Sequence, residues 1–307
     1  MTEDNPAPVH GKQLRYGESA GKEVVMPGRL TLCATPIGNL EDITFRVVRA
    51  LREADLIAAE DTRNSIKLLN HFDIHTPMTA YHENNRYDKG RQLVDKMLSG
   101  TNIALITDAG TPGISDPGEV LVELAVEAGI EVTSLPGPAA CITALTMSGL
   151  STRRFAFEAF LPMEKKERAA VLEDLKAETR TIILYEAPHR LVRTLGELRD
   201  VLGGERRISL CRELTKKHEN VQRTTIDAAL EHFETEAPRG EFVLVIAGKS
   251  FRERKEEEQE FWKKMTVEEH MAYYLDLGTD RKEAMKQVAR DRGCGKREIY
   301  AYLNKNT

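Results

Sequence analysis

The feature that most constrains this chain is the alternation, from Arg29 onward, of short apolar runs with segments of helical periodicity. Four runs, LTLCAT, DLIAAE, NIALIT and EVTSLP, are rich in aliphatic or β-branched residues, and helical patterns lie near residues 43–54 and 64–72. Such alternation is typical of βαβ units around a largely parallel sheet. It predicts an α/β fold.

A second series of runs follows Leu150: FAFEAF, TIILYEA, RRISLCREL and EFVLVIAG, with helical patterns near residues 164–178, 191–202 and 227–234. These runs are longer, and polar and apolar residues separate more clearly onto the two faces of each strand, which favours some antiparallel pairing. Because 307 residues exceed what one hydrophobic core usually fills, we expect two α/β domains, spanning residues 28–150 and 151–250.

The last part of the chain, residues 251–307, differs in character. A charged run at 252–260, read as a linker or a solvated helix, precedes apolar positions at helical spacing. Those positions are Met271, Tyr274, Leu275, Ala284, Val288, Ala289, Ile299, Tyr300 and Leu303. Gly293-Cys294-Gly295 predicts a turn between the last two helices, and hence a small all-α helix-turn-helix domain.

Charge suggests two uses for this helical domain. Residues 279–307 carry eight basic and four acidic side chains, a net charge of +4 in a chain whose net charge is −5. A helix-turn-helix with a basic face can bind nucleic acid. The candidate contacts are Lys282, Lys286, Lys296 and Arg297, although a purely structural helical cap remains open.

Composition excludes several classes of protein. No apolar run approaches the roughly 20 residues that span a bilayer, so no membrane partner is expected. Residues 1–27 are polar, lack a targeting pattern and are expected to be disordered. The four cysteines are single and scattered, which argues against disulfides and zinc and favours a reducing cytoplasm.

Unusual loops follow three of the first four strands. They are residues 35–39 (TPIGN), 108–118 (DAGTPGISDPG) and 136–138 (PGP). Ligands of open α/β sheets bind outside the carboxyl ends of the strands, so these loops are expected to form the principal site. The glycine-rich 108–118 loop suits close approach to a small polar ligand. Its second half predicts a helix entry with Asp116 as N-cap and Pro117 at the first helical position.

Two charged clusters also fall near strand ends. Glu60, Asp61 and Arg63 follow the second run, and His82 lies in the YHEN segment further on. A carboxylate or imidazole there could orient or deprotonate a substrate hydroxyl, whereas Asp61 could equally cap a helix. The chain has no G-x-G-x-x-G, Walker A or H-E-x-x-H motif, and no metal is predicted.

Seven segments in register resemble one known family. They are ATPIGNLEDIT (34–44), IAAEDTR (57–63), DAGTPGISDPG (108–118), LPGPAACITAL (135–145), FLP (160–162), YEAPHRL (185–191) and RELTKKHE (212–219). Together they resemble the RsmI-type 16S rRNA ribose 2′-O-methyltransferases, which are tetrapyrrole-methylase-like (class III) enzymes. One departure is visible: where that family often shows H-x-H-N-E, residue 84 is Asn84, not a second histidine.

The resemblance implies two α/β domains of the tetrapyrrole-methylase type with the active cleft between them, the helical tail, and a homodimer. It also implies S-adenosylmethionine as cofactor and, as substrate, a cytidine in the decoding region of 16S rRNA of the small ribosomal subunit, with no DNA partner. The cofactor contacts carried over by position are Pro36, Ile37, Asp108, Ala109, Gly110, Ile114, Ser115, Ala139, Ala140, Tyr185, Glu186, Ala187, Leu214 and Thr215.

The chemistry requires a ribose oxygen held about 3 Å from an electrophilic sulfonium methyl group, and removal of the hydroxyl proton. Asp61, Glu60, Asp116 and His82 are the catalytic candidates, and Arg63 and Lys216 are candidate phosphate contacts. Two alternatives stay open. One is a methyltransferase of the same fold that acts on a tetrapyrrole or corrinoid precursor, and the other is a non-catalytic RNA-binding assembly factor.

Overall fold

The computed structural model describes residues 26–250, 252–253, 255 and 262–305. The predictions for residues 1–27 and for the charged run 252–260 lie mostly outside the described residues. The chain forms two compact units. The first comprises the described residues up to Cys33, Phe45–Asp108 and Pro112–Leu135, and the second comprises Ala34–Thr44, Ala109–Thr111 and the residues from Pro136 onward. The predicted domain boundaries stay a prediction.

Five parallel strands form the sheet of the first unit, in the order β3-β2-β4-β1-β5. The strands are β1 (Arg29–Cys33), β2 (Leu56–Ala59), β3 (Met78–Ala80), β4 (Ile103–Ile106) and β5 (Glu131–Leu135). The helices are α1 (Phe45–Glu53), α2 (Thr62–His71), α3 (Arg86–Leu98) and α4 (Gly118–Glu127). The four predicted runs are β1, β2, β4 and β5, so the prediction of a parallel α/β sheet is confirmed.

Burial in this unit follows the position of each strand. All four residues of β4 are buried, as expected for a central parallel strand that is covered on both faces. Leu30 and Leu105 from the strands pack with Leu93 of α3 and Leu121 of α4 in one apolar core. The pairing of β2 with β4 places the carboxyl ends of these two strands side by side.

The sheet of the second unit is mixed, in the order β6-β7-β10-β8-β9. Its strands are β6 (Phe155–Phe160), β7 (Thr181–Glu186), β8 (Arg207–Arg212), β9 (Asn220–Thr225) and β10 (Phe242–Ile246). β6 is parallel to β7, and the other neighbours are antiparallel, which confirms the predicted antiparallel pairing. The sequence pattern missed β9, because its residues NVQRTT are polar and it lies at an edge of the sheet.

Helices cover both faces of this second sheet. They are α5 (Ala140–Met147), α6 (Lys165–Lys176), α7 (Pro188–Leu202) and α8 (Ile226–Thr235). Along β10, Leu244 joins the core formed with α6, α7 and α8, whereas Val243 and Val245 join the core formed with α5. Helix α7 begins three residues earlier than its apolar periodicity predicts, because Pro188 suits the first helical position.

The helical tail contains α9 (Val267–Asp276), α10 (Arg281–Asp291) and α11 (Lys296–Lys305), which share a small apolar core. The predicted turn lies between α10 and α11. Two of the apolar positions at helical spacing, Leu275 and Tyr300, are exposed. Each lies one residue, or about 100°, around its helix from Tyr274 or Ile299, and so small a core buries only one stripe. No helix in the described ranges is long and apolar enough to cross a membrane.

Candidate active site

Carboxylates of the first unit meet at the adjoining ends of β2 and β4. Glu60 Oε2 accepts hydrogen bonds from Thr107 Oγ1 at 2.6 Å and from the Asp108 N–H at 3.2 Å. The Asp61 N–H in turn donates to Asp108 Oδ1 at 3.2 Å. Burial, followed by the neighbouring charge of Glu60, raises the pKa of Asp108. The structure thus brings together Glu60, Asp61 and Asp108, three residues singled out from the sequence.

The Asp61 side chain caps the helix that follows it. It is the N-cap of α2, and its Oδ1 accepts the Arg63 N–H at 2.9 Å. Its Oδ2 lies 2.8 Å from Arg63 Nη2, and this pairing is the main cause that lowers the pKa of Asp61 to about 2. The capping alternative therefore holds, and Arg63 is an exposed cation that is already paired.

Asp116 organises the 108–118 loop from inside. Its carboxylate accepts the N–H groups of Gly113 at 2.9 Å, Ile114 at 3.3 Å and Gly118 at 2.7 Å. Burial raises the pKa of Asp116 against these hydrogen bonds. Ser115 has a φ of 62°, a left-handed conformation that a non-glycine residue holds only when its surroundings fix it.

The predicted helix entry in this loop was wrong by one residue. Helix α4 begins at Gly118 with Pro117 at the N-cap position, so Asp116 is not the N-cap and Pro117 is not the first helical residue. The reason is that the Asp116 carboxylate turns back to the loop and uses its lone pairs on the N–H groups there. It positions the loop and has little capacity left to act as a base.

His82 lies where the chain enters a short 3-10 helix, Glu83–Asn85. Its main-chain N–H donates to Asn85 Oδ1 at 2.9 Å, and the Asn85 side-chain amide nitrogen lies 3.4 Å from the ring nitrogen Nε2 of His82. Within the described part of the chain, His82 Nδ1 is buried without a hydrogen-bond partner. The preceding residue, Tyr81, donates its hydroxyl to Pro117 O at 2.9 Å and so ties this segment to the 108–118 loop.

Three strand-end loops converge within the second unit. Thr35 and Gly110 exchange two main-chain hydrogen bonds of 2.9 and 3.0 Å, and Thr111 Oγ1 donates to Pro138 O at 2.9 Å. Gly110 has a φ of 89°, and a Cβ there would lie 3.4 Å from Ile37 Cγ2. The predicted gathering of the loops after β1, β4 and β5 therefore holds for these residues.

An apolar wall adjoins these loops. Residues Ile37, Ala139, Ala140, Tyr185 and Leu214, all predicted cofactor contacts, belong to a single apolar cluster. The Cys141 N–H, near the start of α5, donates to the Tyr185 hydroxyl oxygen at 3.2 Å. Phe157 and Phe160 meet the Tyr185 ring edge-on at 5.0 and 5.6 Å, and burial raises the pKa of Tyr185. The sequence motifs thus converge from four separate parts of the chain.

The segment after β8 is strained and tightly packed. Glu213 and Thr215 have φ angles of 51° and 64°. A Cβ at Gly38 would lie 2.7 Å from Thr215 Oγ1 and 2.9 Å from Leu214 O, so only glycine fits there. Thr215 Oγ1 is buried and makes no hydrogen bond within the described residues. An unpartnered buried hydroxyl in a strained loop is typical of a ligand site.

Glu186 is buried, and its side chain is used internally. Oε2 accepts from Thr194 Oγ1 at 2.5 Å, and Oε1 accepts from the Ala187 N–H at 2.9 Å. Arg190 Nε lies 2.9 Å from Oε1, at ion-pair distance but without hydrogen-bond geometry. Arg168 Nη2 extends the network by donating to Thr194 Oγ1 at 2.8 Å. Only the main chain of Glu186 is left to contact a ligand.

The predicted phosphate contacts differ in their availability. Lys216 Nζ lies 3.0 Å from Glu213 Oε1 and 2.9 Å from Glu241 Oε2, so its charge is already compensated. In the tail, Lys286 is paired with Glu283 at 2.7 Å. The side chains of Lys282 and Arg297 are exposed and that of Lys296 is half-buried.

The sequence is similar to one described family and to named relatives. The family model Tetrapyrrole (Corrin/Porphyrin) Methylases matches residues 29–230, and the chain belongs to this family. Proteins named ribosomal RNA small subunit methyltransferase I are 50% identical in Halalkalibacterium halodurans and 46% identical in Bacillus subtilis. Each alignment covers 89% of this chain and 93% of the relative. The resemblance predicted from the motifs is confirmed.

Solved structures show the same fold at low identity. Diphthine synthase has a TM-score of 0.57 at 14% identity, covering 72% of this chain and 90% of that one. A uroporphyrin-III C-methyltransferase from Thermus thermophilus, complexed with S-adenyl homocysteine, has a TM-score of 0.52 at 18% identity, covering 71% and 97%. The predicted fold class is confirmed.

Proposed function

We propose that this chain uses S-adenosylmethionine to methylate the ribose 2′ oxygen of a cytidine in 16S rRNA. The observation that carries the proposal is the 46–50% identity, over 89% of the chain, to proteins named ribosomal RNA small subunit methyltransferase I. The enzyme class and the rRNA of the small subunit follow from these names. The ribose oxygen and the cytidine are the finer part of the proposal, supported by the seven motifs in register.

The residues of the second unit fit the cofactor. Ile37, Ala139, Ala140 and Leu214 offer an apolar wall, and Thr215 offers a buried hydroxyl that no described residue satisfies. The other proposed contacts are Pro36, Ala109, Gly110, Tyr185 and the main chain of Glu186 and Ala187, with Asp108, Ile114 and Ser115 from the first unit. Bound cofactor supplies a methyl group on a positively charged sulfur.

The chain's own task is to orient the ribose hydroxyl and accept its proton. Asp61 is paired with Arg63, and the Asp116 carboxylate already accepts hydrogen bonds from three N–H groups. Glu60 uses Oε2 for Thr107 and Asp108, and Oε1 has no hydrogen bond within the described residues. Of the three carboxylate candidates, Glu60 is therefore the one with an oxygen that accepts no hydrogen bond from a described residue. His82, whose buried Nδ1 also lacks a partner among them, remains the alternative.

The remaining parts of the proposal concern the assembly. We place the RNA contacts of the tail at Lys282, Lys286, Lys296 and Arg297, and the phosphate contacts near the site at Arg63 and Lys216. A homodimer in the cytoplasm completes the proposal.

The test uses the purified chain with methyl-labelled S-adenosylmethionine and small ribosomal subunits from a strain that lacks the gene. We expect one new ribose methyl group on a cytidine, located by mass mapping of nuclease fragments. A tetrapyrrole precursor serves as the parallel substrate. Label on the tetrapyrrole alone would favour the alternative enzyme, and cofactor binding with no label on either substrate would contradict the proposal.

A further inference from the structure

A cavity of about 400 Å³ lies at the other end of the second sheet, where β6, β7 and β8 begin and β10 ends. Thr181, the first residue of β7, lines this cavity, whereas Tyr185 and Glu186 lie at the far end of the strand. Six strand residues span about 17 Å. The cavity is therefore separate from the residues proposed to hold the cofactor, and the proposed reaction makes no use of it.

The lining of the cavity is strongly basic. It is lined by Arg153, Arg154, Arg207 and Lys249, together with Leu150 and small or hydroxyl-bearing residues, and by no carboxylate. The guanidinium groups of Arg153, Arg154 and Arg207 make no hydrogen bond or ion pair with any described residue. Several like charges around one concave surface repel one another and create a positive potential that attracts anions.

The neighbouring carboxylates are already occupied. Glu178 pairs with Arg180 at 2.5 Å, and Glu253 pairs with Arg206 at 2.9 Å. Glu253 also accepts the Ser250 N–H at 2.6 Å. These two acids thus neutralise other cations, since Glu253 also interacts with Lys249 of the cavity lining, and neither pairs with the three cavity arginines.

The walls of the cavity are fixed by the main chain. Thr181 Oγ1 donates to Ser151 O at 2.6 Å, and the Lys249 N–H donates to Glu178 O at 2.7 Å. A Cβ at Gly248 would lie 2.2 Å from Arg180 O, so the close approach of these two segments requires glycine. The cations are therefore displayed from a rigid frame.

We propose that this cavity binds consecutive phosphate groups of an RNA backbone. The inference rests on the proposed function, which supplies an RNA substrate. Arginine binds phosphate through paired N–H donors. A cavity of this volume, with three uncompensated arginines, is larger than one phosphate ion requires and suits a short stretch of backbone. The contact carries no base specificity and would align the substrate on the face of the second unit away from the cofactor residues.

The test compares two variants of the full chain. The cavity variant carries Arg153→Gln, Arg154→Gln and Arg207→Gln. The control carries Lys166→Gln, Lys176→Gln and Arg199→Gln, three exposed cations on α6 and α7 that give the same change of charge. Binding of a fluorescent single-stranded RNA from the decoding region is titrated at several salt concentrations, with calorimetric binding of S-adenosylmethionine as the measure of folding.

We expect the cavity variant to bind RNA about tenfold more weakly. The slope of log K against log salt concentration should become shallower by about two, because three phosphate contacts disappear. Cofactor affinity should not change. RNA binding equal to that of the control would overturn the proposal. Binding of inorganic phosphate to this cavity without competition from the RNA would also overturn the proposal. Methylation by the unaltered chain is scored separately, so that failure of the proposed function is distinguishable from failure of this site.

Discussion

Thr107 Oγ1 donates a 2.6 Å hydrogen bond to Glu60 Oε2 across the carboxyl ends of two adjacent strands. This bond and the Asp108 N–H hold one oxygen of Glu60 and leave Oε1 for another partner. The carboxylate is thus oriented before any substrate arrives. Preorganised groups of this kind contribute to catalysis without reorganising during the reaction.

Replacing Glu60→Gln should therefore slow methyl transfer by about 10²-fold, the usual contribution of a positioned acid or base. The amide side chain keeps an acceptor for Thr107 but cannot take a proton. The measurement is single-turnover methylation of small subunits, with cofactor binding followed by calorimetry. Asp116→Asn is measured for comparison, because the Asp116 carboxylate holds the 108–118 loop through its hydrogen bonds and has little capacity to act as a base. A Glu60→Gln variant with full turnover would remove Glu60 from the candidates and leave His82.

Thr215 provides a test of the cofactor site. The variant Thr215→Val keeps the shape and removes the hydroxyl, so S-adenosylmethionine should bind about tenfold more weakly, equivalent to one hydrogen bond of roughly 1.4 kcal/mol. Thr215→Ser retains the hydroxyl and should bind normally. Thermal unfolding without cofactor should change little, because Thr215 Oγ1 has no partner among the described residues. Equal affinity in Thr215→Val and Thr215→Ser would place the cofactor elsewhere.

Glu186 is expected to affect stability more than binding. Its carboxylate is buried with Thr194 and Arg190, and removing one partner of a buried charged network costs about 3–5 kcal/mol. Glu186→Ala should lower the free energy of unfolding by an amount near this range, measured in urea. Cofactor affinity of the folded fraction should fall less than twofold. A large loss of affinity in a variant of normal stability would show that the side chain itself contacts the cofactor.

His270 makes the helical tail sensitive to acid. It is buried, Arg292 Nε donates to its Nδ1 at 3.1 Å, and Asp291 lies 3.4 Å from its Nε2. Burial first, and then the charge of Arg292, lower its pKa in the folded tail. Because the unfolded histidine binds a proton more readily, the tail should keep its full stability above pH of about 6.5 and lose stability progressively below it.

Trp262, the single tryptophan of the chain, reports this change, because its ring stacks on His270 at 4.0 Å. Tryptophan fluorescence during urea unfolding, measured from pH 8 to about pH 5, should show the midpoint falling with pH. His270→Gln should flatten this dependence even if it lowers stability overall. A midpoint that falls equally in both proteins would assign the acid sensitivity to other groups.

The helical tail and the second sheet show where the periodicity of apolar residues is sufficient to predict structure and where it is not. Val288 and Ala289, two of the apolar positions at helical spacing, are buried, because one helical stripe faces one core. Leu275 and Tyr300 are apolar and exposed, since the width of the buried stripe depends on the neighbouring helices. Strand β9 is polar and was missed, because its main-chain pairing with β8, rather than its side chains, makes it a strand.

The sequence alone determined the alternation of strands and helices, the partly antiparallel pairing of the second sheet and, through motifs in register, the family. These properties depend on local pattern and on which residue types a backbone turn permits. Only the tertiary structure decided which charged residues are available for chemistry. Asp61 is held by Arg63, Lys216 by Glu213 and Glu241, and Asp116 by three N–H groups. Some of these partners, such as Glu241 for Lys216, lie far away in sequence, and others, such as Arg63 for Asp61, are near neighbours that come within reach only in the folded backbone conformation. The free lone pairs and charge of each side chain are therefore set by the three-dimensional structure and cannot be read from the sequence.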